Sequence, residues 1–140
     1  AAALELADGR MITGKTTDLL GPCAALLLNA LKELAGIPHS QPVISPAAIE
    51  PIQTLKTQYL GSKNPRLHMD EVLIALSVSA ASDPNAQKAL EQLPNLKGCQ
   101  AHTSVMVSDV DRKLFMKLSI QATFEAKYEN NSVIFPKKGI

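Results

Sequence analysis

Apolar and polar positions alternate twice at the start of the chain, over residues 3–7 and 10–14, with Asp8-Gly9 between the runs. A period of two puts every second side chain on one face of a strand. Asp-Gly between two such runs signals a hairpin, because glycine supplies the positive φ that a tight turn needs. The period then changes. Thr17-Asp18 offer N-cap oxygens ahead of a helix over residues 22–35, apolar almost all round and so packed on most sides. Gly36 suits the position after its last turn, and Pro38 stops continuation. Val43-Ile44 read as a short buried strand. Ser45-Pro46 restart a helix as N-cap and first position. Pro51 should break or offset its first turn. Ile52, Leu55 and Tyr59 then share one face, and Gly61 closes the helix.

Residues 69–81 form another strongly apolar helix, with Asp70-Glu71 in the first turn, where the helix dipole favours them. Asp83-Pro84 caps a more polar helix through Leu93, and residues 94–98 connect it to a strand over 100–107. Ser108-x-x-Asp111 resembles a capping box with Asp in place of Glu, and opens a helix with Val110, Leu114 and Leu118 on one side. Residues 121–127 alternate as a closing strand. The order is β-hairpin, α, β, α, α, α, β, α, β, which argues for an α/β domain: a mixed sheet with helices on both faces, three layers in all. A single domain is expected over residues 1–128, with an irregular tail over 129–140. Strand ends and loops should converge at one edge, where such sheets bind ligands.

Composition narrows the class. The chain has 140 residues, 46% of them hydrophobic and 19% charged, enough for one domain with a proper core. Its 14 basic and 13 acidic residues leave a net charge of +1, so no nucleic-acid footprint is expected. No apolar run is long enough to cross a membrane, so no membrane association is expected either. Two cysteines, Cys23 and Cys99, make no disulfide framework and fit a reduced cytoplasmic setting. Ala1 enters a strand at once without a start methionine, which reads as one domain of a longer protein.

Gly9-Arg10-Met11-Ile12-Thr13-Gly14-Lys15-Thr16 fits the Walker A pattern letter for letter. A phosphate-cradling loop needs a buried strand before its first glycine and a helix directly after its lysine. Here Gly9 belongs to the hairpin turn and Met11-Ile12 to the return strand, so the match is read as a decoy. Val105-Met106-Val107-Ser108-Asp109 is the nearest thing to a second acidic motif, and reads as a strand end plus cap.

Deaminase zinc chemistry needs His-x-Glu and Pro-Cys-x-x-Cys. Pro22-Cys23 is followed by Ala24-Ala25-Leu26, and no histidine is followed by x-Glu, so no such site is expected and no cofactor is implied. Cys99-x-x-His102 supplies two metal ligands where a tetrahedral site needs more. Cys23 reads as inert core. His102 on a central strand is the one catalytic candidate. Lys15, Thr16, Lys63, Asn64 and Arg66 lie on loops near helix starts, where amides and a guanidinium suit an anion.

Three stretches carry a family resemblance: Leu6-Ala7-Asp8-Gly9-Arg10 with Thr13-Gly14-Lys15-Thr16; Asn29-Ala30-Leu31-Lys32 with Leu34-Ala35-Gly36-Ile37; and Glu50-Pro51-Ile52 with Leu60-Gly61-Ser62-Lys63-Asn64-Pro65-Arg66-Leu67, residues 71–77 and Leu96-Lys97-Gly98-Cys99. They resemble the C-terminal domain of the bacterial domain-of-unknown-function family DUF1846 over most of residues 3–125. The resemblance implies an α/β/α architecture with cytidine-deaminase-like topology and proteins several hundred residues long. Some members are labelled ATP-dependent proteases. It carries over no catalytic residues. The functional expectation is an anionic, phosphate- or nucleotide-like small-molecule site at Lys15, Thr16, Lys63, Asn64, Arg66 and His102, shared with the protein's own N-terminal region. The alternatives are a non-catalytic domain that forms a homo-oligomer, and a P-loop ATPase.

Overall fold

The computed structural model describes residues 1–125. Strand β1 (Ala2–Glu5) and strand β2 (Met11–Gly14) form the expected hairpin, paired antiparallel with Glu5 opposite Met11. Leu6 N donates to Arg10 O and Gly9 N to Leu6 O, both at 2.9 Å, around a loop in which Gly9 has φ 91°. This is a three-residue turn with its left-handed position filled by glycine. Helix α1 (Pro22–Ala35) begins seven residues after Lys15, so the Walker-like stretch wraps no phosphate loop. Its second glycine has another role. A Cβ on Gly14 would lie 2.4 Å from Leu26 N and 2.6 Å from Pro22 O, so α1 rests directly on the backbone of β2.

Helix α2 (Pro46–Thr54) runs through Pro51 without breaking, and continues into a π-helical turn over Leu55–Tyr59. The π turn shifts the helical phase, so Ile52, Leu55 and Tyr59 do not form a core stripe: Leu55 and Tyr59 are exposed. Val43 and Ile44 are buried but form no strand. Helix α3 (Met69–Ala80) matches expectation, and helix α4 (Pro84–Leu90) is shorter, with a 3-10 turn over Leu93–Leu96. Strand β3 (Gln100–Thr103) stops at Thr103, short of Val107. Helix α5 (Asp109–Lys117) buries Asp111 and Phe115, while Val110 is exposed. Strand β4 (Gln121–Phe124) closes the sheet, and the expected continuation to Lys127 and the tail lie outside the described residues.

The sheet order is β2-β1-β3-β4, with β1 antiparallel to both neighbours and β3 parallel to β4. Registered rows explain the layering. Gly14, Ala2, Thr103 and Phe124 share a row, as do Ile12, Leu4, Ala101 and Ala122. These rows face the helices and are buried or half-buried. The core continues into Leu26, Leu27, Leu31, Leu67, Met69, Leu76, Leu96 and Phe115, each at most 2% exposed. Each such side chain contributes about 2 kcal/mol of transfer free energy. The opposite face carries Glu5, Met11, Thr13, Gln100, His102, Gln121 and Thr123, all exposed. The expected third layer is therefore not formed among the described residues. Alternation explains why: apart from Ala3 and Met11, the outward positions of the four strands are polar, so that face offers no apolar stripe for a second helix layer.

Candidate functional site

The segment ahead of α1 and the loop ahead of α3 are tied together. Leu20 and Leu67 form a parallel bridge, in which Gly21 N donates to Leu67 O at 3.1 Å and Leu67 N to Leu19 O at 2.9 Å. Arg66 Nε donates to Thr17 O at 2.6 Å, and Arg66 N to Asn64 Oδ1 at 3.1 Å. Lys56, buried on the π turn, holds the loop from behind by donating to Arg66 O and by pairing with Glu71 at 2.9 Å. Glu71 Oε1 in turn accepts from His68 N at 2.8 Å, fixing the start of α3.

These ties bring three helix N-termini to one cavity of about 300 Å³. Gly21-Pro22 of α1, His68 of α3 and Ser108 of α5 line it, together with Thr16, Asn64, Arg66, Cys23 and Asp111. Helix N-termini carry a partial positive charge, although here the amides of Gly21, His68, Met69 and Asp111 already donate within the protein and Pro22 has none. Arg66 adds a guanidinium whose Nη groups have no protein partner among the described residues. Asp111 crosses the gap between helices: its Oδ1 accepts from Met69 N at 2.9 Å, and its Oδ2 stands 3.8 Å from His68 Nδ1. Its side chain is 10% exposed. Burial raises its pKa, which the Met69 amide and His68 oppose and the charges of Asp70 and Glu71 reinforce. Burial, then the Asp111 charge, pushes the Cys23 thiol up to about 12, so it stands in the wall as a neutral group.

The expected ligand cluster is thus divided. Thr16, Asn64 and Arg66 meet at this cavity, whereas Lys15 lines a neighbouring hollow with Asn29 and His39. Lys63 is exposed and lines neither. His102 lies on the open sheet face, its Nδ1 2.7 Å from Thr123 Oγ1 and its Nε2 3.1 Å from Glu125 Oε2. Cys99 is buried, its thiol pKa raised by burial, so it and His102 face different sides of the molecule. The sequence reading missed His68 and Asp111. The Ser108-x-x-Asp111 signal was present, and Asp111 N does donate to Ser108 Oγ at 3.2 Å. The Asp111 carboxylate, however, caps the neighbouring helix instead of its own.

A family model described as "Domain of unknown function DUF1846, C-terminal" matches residues 1–134. A UPF0371 protein of Corynebacterium efficiens is 59% identical over 133 residues, covering 95% of this chain and 27% of that protein. One of Corynebacterium diphtheriae is 58% identical over 131 residues, covering 94% and 26%. One of Streptococcus thermophilus is 47% identical over 129 residues, covering 92% and 26%. The chain spans about a quarter of the length of the relatives it matches.

Proposed function

We propose that this chain, which belongs to the DUF1846 C-terminal domain family, forms one wall of a small-molecule site for a phosphate-bearing, nucleotide-like ligand. The observation that carries this reading is the convergence of three helix N-termini and Arg66 on one cavity whose far wall holds the buried carboxylate of Asp111. Arg66 and the positive ends of the helices suit an oxyanion. Asp111 and His68 suit the opposite: a hydrogen-bond donor or a proton in transit. A bare dianion would meet the Asp111 charge, whereas a ligand with a phosphate at one end and N–H or O–H groups at the other satisfies both. The rest of the longer protein would complete the site. The cytidine-deaminase-like topology belongs to the same reading, supported by the leading hairpin and the parallel β3–β4 pair flanking an antiparallel β1.

Thermal-shift titration with inorganic phosphate and with nucleoside monophosphates tests it. Nucleotides should raise Tm more than phosphate does, and Arg66→Ala should weaken binding about 10- to 100-fold, the loss of one or two charge-assisted bonds. No shift with either ligand would end the reading.

A self-associating role has its own support. The outer flank of α3 exposes Ile74 and Val78 one turn apart, and the segment before it exposes Leu55, Tyr59 and Leu60. Sedimentation velocity over a concentration series should show association that Val78→Lys reduces; a concentration-independent monomer would dismiss this role.

A further inference from the structure

Lys32 lies in the last turn of α1 and is 7% exposed, next to the core residue Leu31. An ammonium carries three N–H donors, and a buried one is costly unless it is paired. Its Nζ donates to His39 O at 2.8 Å. Among the described residues no carboxylate lies within 4.0 Å of it. The adjacent Glu33 is already engaged, its Oε2 2.6 Å from Arg10 Nη1. The last carbonyls of α1 offer no relief, because Lys32 O accepts from Ile37 N at 2.9 Å and Glu33 O from Gly36 N at 3.2 Å. Two of the three ammonium protons are left without a protein acceptor among the described residues.

The space beside this group is a hollow of about 550 Å³, lined by Lys32, Asn29, His39 and Asp18 among others. It adjoins one of about 410 Å³ that shares Asn29 and His39 and adds Lys15. Asn29 is held in place by donating from Nδ2 to Thr13 O at 2.9 Å. Among the described residues Asp18 is the single carboxylate on these walls, against Lys15, Lys32 and the ring of His39. The balance of charge is positive, and the best-buried group is the cation.

We propose that Lys32, with Lys15 and His39 at the rim, binds the oxyanion of a small ligand, a phosphate or a carboxylate, at a second site separate from the Arg66 cavity. The ammonium supplies two donors from the floor, while Lys15 and His39 close over the anion from the loops before and after α1. Desolvation lowers the Lys32 pKa, and a bound anion would reverse that by restoring a partner for the charge.

The test is an amide-resolved NMR titration of the protein at constant ionic strength, with sodium phosphate, sodium acetate and sodium chloride as separate arms. Amides of residues 15–18, 29–32 and 37–40 should move saturably with phosphate or acetate and not with chloride; which of the two wins identifies the oxyanion. Lys32→Met, of similar length and without charge, should weaken that response at least 10-fold, and Lys32→Arg should keep it. Amides of residues 66–69 and 108–111, followed in the same spectra with nucleoside monophosphate, read the Arg66 cavity separately, so that failure of one site is not mistaken for failure of the other. Amides that stay still in the wild-type titration would overturn the proposal without recourse to any variant. So would a response to chloride equal to that for phosphate, or one that survives in a folded Lys32→Met protein.

Discussion

Gly14 has no room for a methyl group. The atoms that a Cβ would strike are the backbone of Leu26 and Pro22, which cannot rotate away. Gly14→Ala must therefore push α1 off the sheet, and should cost about 3 kcal/mol, at the upper end for overpacking. Gly9→Ala, with open space around its Cβ but φ 91°, should cost about 1 kcal/mol. Urea unfolding of the two variants checks the ranking, and a P-loop origin for these glycines would instead show as lost nucleotide binding with stability intact. Asp111 gives a second residue-scale expectation. Its folded pKa lies above the ordinary 3.8, so between those two values the native state holds a proton that the unfolded chain has released. Stability from this group is present below the unfolded pKa and is lost as pH rises through the folded one. Asp111→Asn can still accept from Met69 N. It should remove that downward slope on the alkaline side of the carboxylate range, seen in denaturation midpoints collected from pH 4 to 8. An unchanged slope in the variant would place the proton elsewhere. At this scale the sequence was readable where one residue does one local job, as at Gly9. Asp111 was misassigned because its partner is Met69, 42 positions away, which local spacing does not encode.

Helix starts are set by short-range chemistry, and two of them were legible. The expected Thr17-Asp18 cap of α1 is not used, because Thr17 Oγ1 accepts from Leu19 N and Leu20 N while Gly21 stands at the N-cap, and Ser45 takes its N-cap position without a side-chain bond. Asp83 Oδ1 accepts from Asn85 N at 2.9 Å, and Ser108 Oγ from Asp111 N at 3.2 Å, at the positions the sequence indicates. Asp83→Ala and Ser108→Ala should each cost about 1 kcal/mol, and the double variant about the sum, since α4 and α5 share no capping group. Thermal melts of the three variants would expose any coupling. What the pattern did not yield were element ends and faces. Val43-Ile44 look like a strand because they are apolar and β-branched, but they pair with no strand among the described residues and are held by burial alone. Of Val110, Leu114 and Leu118, the last two pack half-buried against the core as their spacing suggests, but Val110 is exposed and the fully buried side chains of α5 are Phe115 and Asp111. Phe115 packs 6.2 Å from Phe124, and Arg112 covers the same Phe124 ring at 4.8 Å. The face of α5 is thus chosen by an aromatic partner on β4, which no count along one helix contains.

At the scale of the whole molecule, β1 is the keystone despite being the first element of the chain. It is hydrogen-bonded on both sides, to β2 and to β3, and places Ala2, Leu4 and Leu6 in the core at 1–3% exposure. Removal of residues 1–5 would leave two separate sheet remnants, β2 alone and β3 with β4, and would strip from α1 the part of its packing that β1 provides. The shortened protein should therefore show no cooperative transition, whereas Leu4→Ala should keep one and cost about 3 kcal/mol. Ile74→Ala, on the exposed flank of α3, should change stability by less than about 0.5 kcal/mol. Far-UV circular dichroism melts of the three proteins separate the cases, and a cooperative melt of the trimmed chain would show that α1, α3 and α4 form a core without the sheet. The sequence order of elements announced a hairpin and an α/β class, but not that a terminal strand would sit second in a four-stranded sheet. That placement follows from β3 arriving about a hundred residues later and pairing antiparallel with β1, Leu4 opposite Ala101. The same long-range closure carries the bridge Leu20–Leu67 and, through it, the meeting of Arg66 with three helix starts. Loss of β1 should thus abolish ligand-induced shifts at both proposed sites together, while Lys32→Met removes only one.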